Sequence, residues 1–303
     1  MDTTSTQAQP LIYPYQQPAY DRLSAIARAY ININFERFLI KPRGNVFIVG
    51  PSGTGKTHLA QQIAVGADMD LAYLPISVSE WIIMGSGQRA GMATLPTICE
   101  LLLESSQREG CIIYLDELDK VGRHTQSDWT RFQTTEVFSL LDRRLPRNIK
   151  DTHGDKIHPH KIEEAESILR SKTLILAGGA FQNFWENKSN IGFGSESEAN
   201  PKLDLNHLEQ SIPPELARRF GSQLVTLPPL QETDYLDMLA LILQTLPDYW
   251  QGTYESMALD GIPEAARLGQ GPRYFEELLL EVAIQVRQSM VSATPPEIAI
   301  RCE

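Results

Sequence analysis

Residues 44–60 read GNVFIVGPSGTGKTHLA and predict three elements in a row. An apolar run comes first, a glycine-rich turn follows it, and a helical pattern begins after the turn. The turn, Gly50-Pro51-Ser52-Gly53-Thr54-Gly55-Lys56-Thr57, matches the full G-x-x-x-x-G-K-[ST] pattern of a phosphate-binding P-loop. The stretch therefore predicts a strand, a loop that wraps around phosphate groups, and a helix.

Each residue type in this P-loop has a physical task. The glycines allow backbone N–H groups to close around phosphate oxygens. Lys56 is expected to reach the β and γ phosphates of ATP. The Thr57 hydroxyl is expected to bind Mg²⁺ at the start of a helix whose dipole favours anions. All eight residues of the turn are therefore candidate ATP-binding residues.

Two further apolar runs have the length of a strand, CIIYLDELD at 111–119 and TLILAGGAF at 173–181. Each follows a helical stretch, and this alternation is typical of a parallel sheet covered by helices. After about residue 228 the strand-like runs stop, and the remaining apolar stretches are amphipathic with a helical period. The sequence predicts an α/β fold with a tail at 1–11, a nucleotide-binding domain at 12–227 and a small all-helical lid domain at 228–303.

Charge and cysteine content narrow the class of partner. The 303 residues carry a formal net charge of −11, which would repel a phosphate backbone and disfavours nucleic acid as a partner. No apolar run approaches the roughly 18 residues that a membrane span needs, and the start of the chain is polar. Three cysteines without C-x-x-C spacing argue against a disulfide framework. We expect a cytoplasmic protein, not a membrane protein, with protein or small-molecule partners.

ATP hydrolysis needs more than a P-loop, because an acid must hold the metal ion and another group must orient water. Asp116, at the end of the second apolar run, is predicted to hold Mg²⁺ together with Thr57. Glu117, beside it, can polarise the attacking water as a general base. The alternative is that both acids are solvated residues at a strand end, and the P-loop upstream favours the catalytic interpretation.

The order of these motifs carries a family resemblance. GPSGTGKT, LDELDK, KIHPHK leading into SKTLILAGGAF, then NIGFGSE and SIPPELARRF follow one another from about residue 12 to residue 227. The sequence resembles AAA+ ATPases and, among them, the ClpX unfoldases, without their N-terminal zinc-binding module. The resemblance implies a homo-oligomeric ring, a hexamer, that uses ATP to unfold proteins threaded through a central pore.

The resemblance also implies roles for single residues. Arg219 in PELARRF matches the arginine finger that reaches a neighbouring subunit's nucleotide, and Arg218 is the alternative. Arg273 in GQGPRYFEELL matches the sensor-2 arginine of the lid. Tyr15 lies in the segment 13–16, where the family lines the adenine pocket.

Loops that would contact proteins are implied in the same way. SEWIIMGSG puts Ile83, Met84 and Gly85 at the pore loop, while Arg123 and His124 match a second pore loop.

The tripeptide Ile191-Gly192-Phe193 matches the one that docks ClpX onto the ClpP peptidase. The alternative is that this loop folds back onto its own domain, with Phe193 as a packing anchor.

Two other functions remain open at this stage. The chain could be a DNA-associated AAA+ regulator of a mobile element or a replication system. It could also be an ATP-dependent switch that assembles a partner complex without translocation.

Overall fold

The computed structural model describes residues 10–33, 35–66, 68–84, 93–121, 128–150, 155–182, 184–185 and 204–292. The chain divides into two compact units. The first consists of Met1–Pro51 with Gly55–Pro228, and the second of Ser52–Thr54 with Pro229–Glu303. Gly85, Arg123, His124 and the tripeptide Ile191-Gly192-Phe193 lie outside the described residues.

The first unit contains a five-stranded parallel sheet. The strands are β1 (Asn45–Val49), β2 (Leu71–Ser77), β3 (Gly110–Asp116), β4 (Thr173–Gly179) and β5 (Leu224–Thr226). Their order across the sheet is β2-β3-β4-β1-β5, and every neighbouring pair is parallel. Among the described residues, the α-helices that accompany the strands include α1 (Gln17–Asn32), α2 (Lys56–Gly66), α3 (Thr94–Glu104), α4 (Asp128–Leu141), α5 (Pro159–Ser171), α6 (Leu205–Glu209) and α7 (Pro214–Ala217).

The core lies on both faces of this sheet. Successive residues of a strand point to opposite faces, so Phe47 joins one cluster of buried side chains while Val46 and Ile48 join the other. Strand β4 is buried along its whole length, as expected of a parallel strand covered on both faces. The predicted α/β fold class is confirmed.

Because the strands are parallel, their carboxyl ends meet at one edge of the sheet. Strand β1 leads there into the P-loop, and β3 ends there at Asp116. The opposite edge carries the segments that enter the strands, including 41–44 before β1 and 218–223 before β5. The two edges therefore present different sets of side chains.

A buried arginine joins several segments at this second edge. Arg143 follows α4 with a left-handed backbone at φ 61°. It donates hydrogen bonds to the carbonyl oxygens of Leu169 (2.8 Å), Thr173 (2.5 Å), Gly44 (2.7 Å) and Arg43, and to Oδ1 of Asn45 (2.9 Å). Burial lowers the pKa of the Arg143 guanidinium to about 10. Among the described residues, its hydrogen bonds go to carbonyl oxygens and not to a carboxylate, and these bonds hold the cation in the core.

The second unit is helical, as predicted for the C-terminal region. Its helices are α8 (Glu232–Leu243), α9 (Asp248–Leu268) and α10 (Pro272–Ser292). The buried Tyr235 hydroxyl donates to the Ala265 carbonyl (3.0 Å) and accepts from the Gly271 N–H (2.7 Å), which fixes the turn between α9 and α10. No helix in the part of the chain that the structure describes is both long and apolar enough to cross a membrane.

Candidate active site

The P-loop leaves β1 at Gly50, and α2 begins at Lys56. The Lys56 ammonium donates to the carbonyl oxygens of Gly50 and Pro51, both at 2.8 Å. Gly55 has φ 69°, and a Cβ there would lie 2.6 Å from Nε2 of Gln16. Only glycine satisfies both the left-handed backbone and this close approach. The loop thus holds the Lys56 ammonium close to its own backbone, where the positive charge can attract a phosphate group.

The segment that contains Tyr15 packs beside this loop. Gln16 is fully buried and donates through Nε2 to the Gly55 carbonyl at 3.1 Å. Tyr15 stacks with Tyr13 at 5.9 Å between ring centroids, and Tyr13 in turn contacts the His58 ring at 5.1 Å. Burial lowers the pKa of His58. Tyr15 therefore lies next to the P-loop, and its contact with adenine stays a prediction.

The two predicted metal-binding residues lie together. The Thr57 hydroxyl donates to Oδ2 of Asp116 at 2.8 Å, although the residues are 59 positions apart in the sequence. The other oxygen, Oδ1, accepts from the Tyr114 hydroxyl at 3.2 Å and from the Glu117 N–H at 2.9 Å. These bonds fix the orientation of the carboxylate. A hydroxyl and a carboxylate oxygen side by side are the kind of ligands that Mg²⁺ prefers.

Glu117 is held by two hydrogen bonds in an uncommon backbone conformation. Its φ of 57° and ψ of 31° are left-handed. Its carboxylate accepts from the Lys120 ammonium and from the Ser79 hydroxyl, the latter at 2.9 Å. The hydrogen bond from Lys120 is the main reason that the pKa of Glu117 is lowered. The candidate base therefore already accepts from two donors, with which an attacking water would compete.

Tyr114, Ser79 and Lys120 were not predicted as site residues. Tyr114 lies two positions before Asp116 on the same strand face, so the period of a strand could have indicated it. Lys120 stands three positions after Glu117, in the quoted LDELDK motif. Ser79 comes from the turn after β2, whose residue Ser77 pairs with Asp116. That juxtaposition depends on strand pairing and has no local sequence signal.

The two candidate finger arginines have different surroundings. Arg219 forms a two-pronged ion pair with Asp142, Nε to Oδ1 at 3.1 Å and Nη2 to Oδ2 at 2.9 Å. Its guanidinium also lies 4.1 Å from the centre of the Phe138 ring, and its side chain is 20% exposed. Arg218 is 68% exposed and pairs with Glu209 at 3.1 Å. Both arginines are thus paired within the chain, but the side chain of Arg219 is largely buried and that of Arg218 is exposed.

The expected pore loop is placed only in part. Ile83 is buried at 6% exposure in the same core cluster as Trp81, and its part in a pore loop stays a prediction. Helix α4 anchors this segment. Glu136 accepts hydrogen bonds from the Trp81 indole and from the Met84 N–H, both at 2.8 Å. Met84 itself is only partly buried.

Arg273 lies in the first turn of α10, where its side chain is exposed. Two residues earlier, Gly271 has φ 64°, and a Cβ there would lie 1.8 Å from the Gly53 carbonyl. Gly53 belongs to the P-loop tip, which forms part of the second unit. Within that unit, the turn before α10 and the P-loop tip are therefore in tight backbone contact.

A comparison with known protein families agrees with this geometry. The family model described as "ATPase family associated with various cellular activities (AAA)" matches residues 46–153. The match covers the P-loop and both acids at the end of β3. An AAA ATPase domain is thus present in this range, which supports ATPase activity and nucleotide binding in general, typically with Mg²⁺. Domains of this family commonly form oligomeric rings.

Proposed function

We propose that this chain is a ClpX-like AAA+ ATPase that assembles into a hexameric ring and unfolds or remodels proteins by threading them through a central pore. The observation that carries the ATPase part is the 2.8 Å hydrogen bond between Thr57 and Asp116. It joins the P-loop to the acidic end of β3 and forms an oxygen pair suited to a metal ion. The order of the ClpX-like motifs along the chain supports the unfoldase part.

The residues present fit Mg²⁺-ATP. Lys56 would exchange its two carbonyl partners for phosphate oxygens, and Thr57 and Asp116 would hold the metal ion. When bound, Mg²⁺ neutralises negative charge on the phosphates. The lysine places a second positive charge at the loop.

Glu117 would accept the proton of the attacking water. For this it exchanges a hydrogen bond from Lys120 or Ser79 for one from water. The lowered pKa keeps the carboxylate ionised at neutral pH, which a general base requires. The same ion pair weakens the base, so Lys120 would adjust the rate of hydrolysis.

The remaining charge on the phosphates calls for an arginine from a neighbouring subunit. Arg219 would first have to leave Asp142, whereas Arg218 would only have to leave Glu209 on the surface. Arg219→Ala should bind ATP without hydrolysing it if Arg219 is the finger. Mixing Arg219→Ala with Glu117→Gln subunits should then restore some activity, and normal turnover by Arg219→Ala alone would move the role to Arg218.

The central experiment compares Glu117→Gln with Lys56→Ala. Glu117→Gln should bind ATP and form rings while hydrolysis falls by about 10²–10⁴-fold. Lys56→Ala should lose ATP binding. Glu104→Gln, on an exposed glutamate at the end of α3, is the matched control and should behave like the wild type. Near-normal hydrolysis by Glu117→Gln would refute the proposed base.

Stimulation of the ATPase separates the unfoldase from the two other functions. An unfolded protein should raise the rate of the wild type, and double-stranded DNA should not. Stimulation by DNA alone would favour the regulator of DNA transactions. A slow rate of hydrolysis that neither unfolded protein nor DNA changes would favour the assembly switch. The Glu117→Gln variant could then be used to capture the partner.

Contact with a ClpP-type peptidase is the most specific part of the proposal. It rests on Ile191, Gly192 and Phe193, which lie outside the described residues. Phe193→Ala should leave ATPase activity and ring assembly unchanged and abolish co-purification with such a peptidase. If the variant is instead destabilised, the loop packs on its own domain.

A further inference from the structure

A tyrosine hydroxyl lies against the candidate metal-binding carboxylate. Tyr114 is fully buried in β3, two positions before Asp116 and on the same face of the strand. Its hydroxyl donates to Oδ1 of Asp116 at 3.2 Å. The other oxygen, Oδ2, accepts from the Thr57 hydroxyl at 2.8 Å. The carboxylate is therefore held from two sides, by helix α2 and by a side chain of its own strand.

The neighbouring strand leaves space for this tyrosine hydroxyl. Tyr114 pairs with Leu176 of β4, and Gly178 lies two positions further along β4. A Cβ on Gly178 would lie 2.2 Å from the Tyr114 hydroxyl oxygen and 3.2 Å from Oδ1 of Asp116. A side chain at position 178 would therefore have to displace the hydroxyl.

The backbone does not require glycine at position 178. Gly178 lies inside β4 and has no positive φ, so other residues can adopt its conformation. Glycine inside a strand is otherwise unfavourable, and it often marks the close approach of another group. Here the group that approaches is the Tyr114 hydroxyl. Gly178 and Tyr114 thus form a pair in which one residue provides the space that the other fills.

A second tyrosine on the same face of the sheet makes no such bond. Tyr73, on the neighbouring strand β2, packs against the core cluster that contains Tyr114. Its hydroxyl oxygen is buried and has no hydrogen-bond partner among the described residues. Burial raises the pKa of both tyrosines, and the nearby charge of Asp116 raises both further. Both hydroxyls are therefore within electrostatic reach of the carboxylate, but of the two it is Tyr114 that bonds to it.

We infer that Tyr114, in the space left by Gly178, positions Asp116 for Mg²⁺ and so sets the Mg²⁺ concentration at which the site holds ATP. This role rests on the proposed ATPase function and adds a positioning residue to it. Hydrogen bonds that orient a metal-binding side chain typically change metal affinity by about 10–100-fold. The Glu117 N–H still donates to Oδ1 when the tyrosine hydroxyl is removed, so we expect the lower end of this range.

The first test removes the hydroxyl and keeps the ring. In Tyr114→Phe, the free Mg²⁺ concentration for half-maximal binding of a fluorescent, non-hydrolysable ATP analogue should rise by about tenfold. The affinity for the analogue in EDTA should be unchanged. Tyr73→Phe is the matched control and should need the same Mg²⁺ concentration as the wild type. Electron paramagnetic resonance with Mn²⁺ in place of Mg²⁺ measures metal binding directly, and Tyr114→Phe should again need about tenfold more metal.

The second test closes the space instead. Gly178→Ala should raise the Mg²⁺ requirement about as much as Tyr114→Phe, because its Cβ displaces the hydroxyl. Adding Gly178→Ala to Tyr114→Phe should raise it little further, since the bond is already absent, whereas independent effects would multiply. Gly252→Ala, where a Cβ meets nothing within 4 Å, is the control for replacing a glycine.

The results that would overturn this role differ from those that would contradict the proposed function. An unchanged Mg²⁺ requirement in Tyr114→Phe refutes the role, and so does an equal rise in Tyr73→Phe. Weaker binding of the analogue to Tyr114→Phe by the same factor with and without Mg²⁺ would make Tyr114 a structural residue. Multiplying effects in the double variant would refute the pairing with Gly178. A wild type that binds the analogue without any dependence on Mg²⁺ would contradict the proposed metal site itself.

Discussion

Replacing Arg143 by methionine should destabilise the first unit strongly, although this residue touches no predicted ligand. Methionine keeps most of the length and apolar volume of arginine and removes all its hydrogen-bond donors. A left-handed φ of 61° is unfavourable for arginine and methionine alike, so the comparison isolates the guanidinium.

The size of the effect follows from the acceptors that lose their donor. The Gly44 carbonyl still accepts from the Ile175 N–H at 2.9 Å. Leu169 O, Arg43 O and Asn45 Oδ1 have no second donor among the described residues. Each such buried group costs about 1–3 kcal/mol, partly offset because a cation no longer has to be buried, which leaves a net loss of about 3–5 kcal/mol.

Thermal unfolding followed by circular dichroism measures this loss on the full chain. For a domain of this size, the midpoint should fall by roughly 2–4 °C per kcal/mol, or about 6–20 °C in total. Arg144→Met, at the adjacent exposed position, is the matched control and should shift the midpoint little. Arg143→Lys should lie between the two, because an ammonium cannot reach all the acceptors of a guanidinium fork.

A functional consequence should accompany the loss of stability. Asn45, which Arg143 orients, donates through Nδ2 to the Arg219 carbonyl at 3.1 Å. If Arg219 is the finger, the rate of ATP hydrolysis by Arg143→Met should therefore fall below that of the Arg144→Met control at a temperature where both variants are folded. If the free energy of unfolding of Arg143→Met lies within about 1 kcal/mol of that of the control, other donors satisfy the acceptors and the reasoning is wrong.

Two further predictions concern the active site. In the wild type, the ionised form of Glu117 is lost only as the pH falls through its lowered pKa. Lys120→Met should therefore move the acid limb of the pH profile of single-turnover hydrolysis to higher pH, toward the usual glutamate range. An unmoved limb would mean that Lys120 does not act on the base. Gly271→Ala should weaken binding of a fluorescent ATP analogue by about tenfold or more, because its Cβ would lie 1.8 Å from the Gly53 carbonyl at the P-loop tip. Gly252→Ala, where a Cβ meets nothing within 4 Å, is the control, and equal affinities would contradict the role of this turn.

The fold class could be predicted because its signals are local. The strand, loop and helix around the P-loop are consecutive, and β3 and β4 are continuous apolar runs. Strands β2 and β5 were not predicted. β2 contains Pro75, which normally argues against a strand and is tolerated here because β2 is the outermost strand of the sheet. β5 has only three residues, too few for a clear period.

What the sequence could not show depends on contacts between distant segments. Ile83 matches a pore position by its neighbours in the sequence, yet Glu136 and Trp81 hold its segment against the core. FLI at 38–40 has the composition of a buried strand and is exposed instead. A buried arginine in LLDRRLPRN has no sequence signal either, because Arg143 and Arg144 differ only in the acceptors that tertiary structure provides.

Glu117, the candidate base, has a left-handed backbone conformation that is unfavourable for glutamate. At φ 57°, a glutamate costs about 1–2 kcal/mol that glycine would not, and asparagine would cost less than glutamate. Selection for thermal stability alone should therefore replace residue 117 by glycine or asparagine, and if Glu117 is the base these more stable proteins would no longer hydrolyse ATP. Natural sequences with either residue at this position would then be relatives that keep the fold without the proposed catalysis.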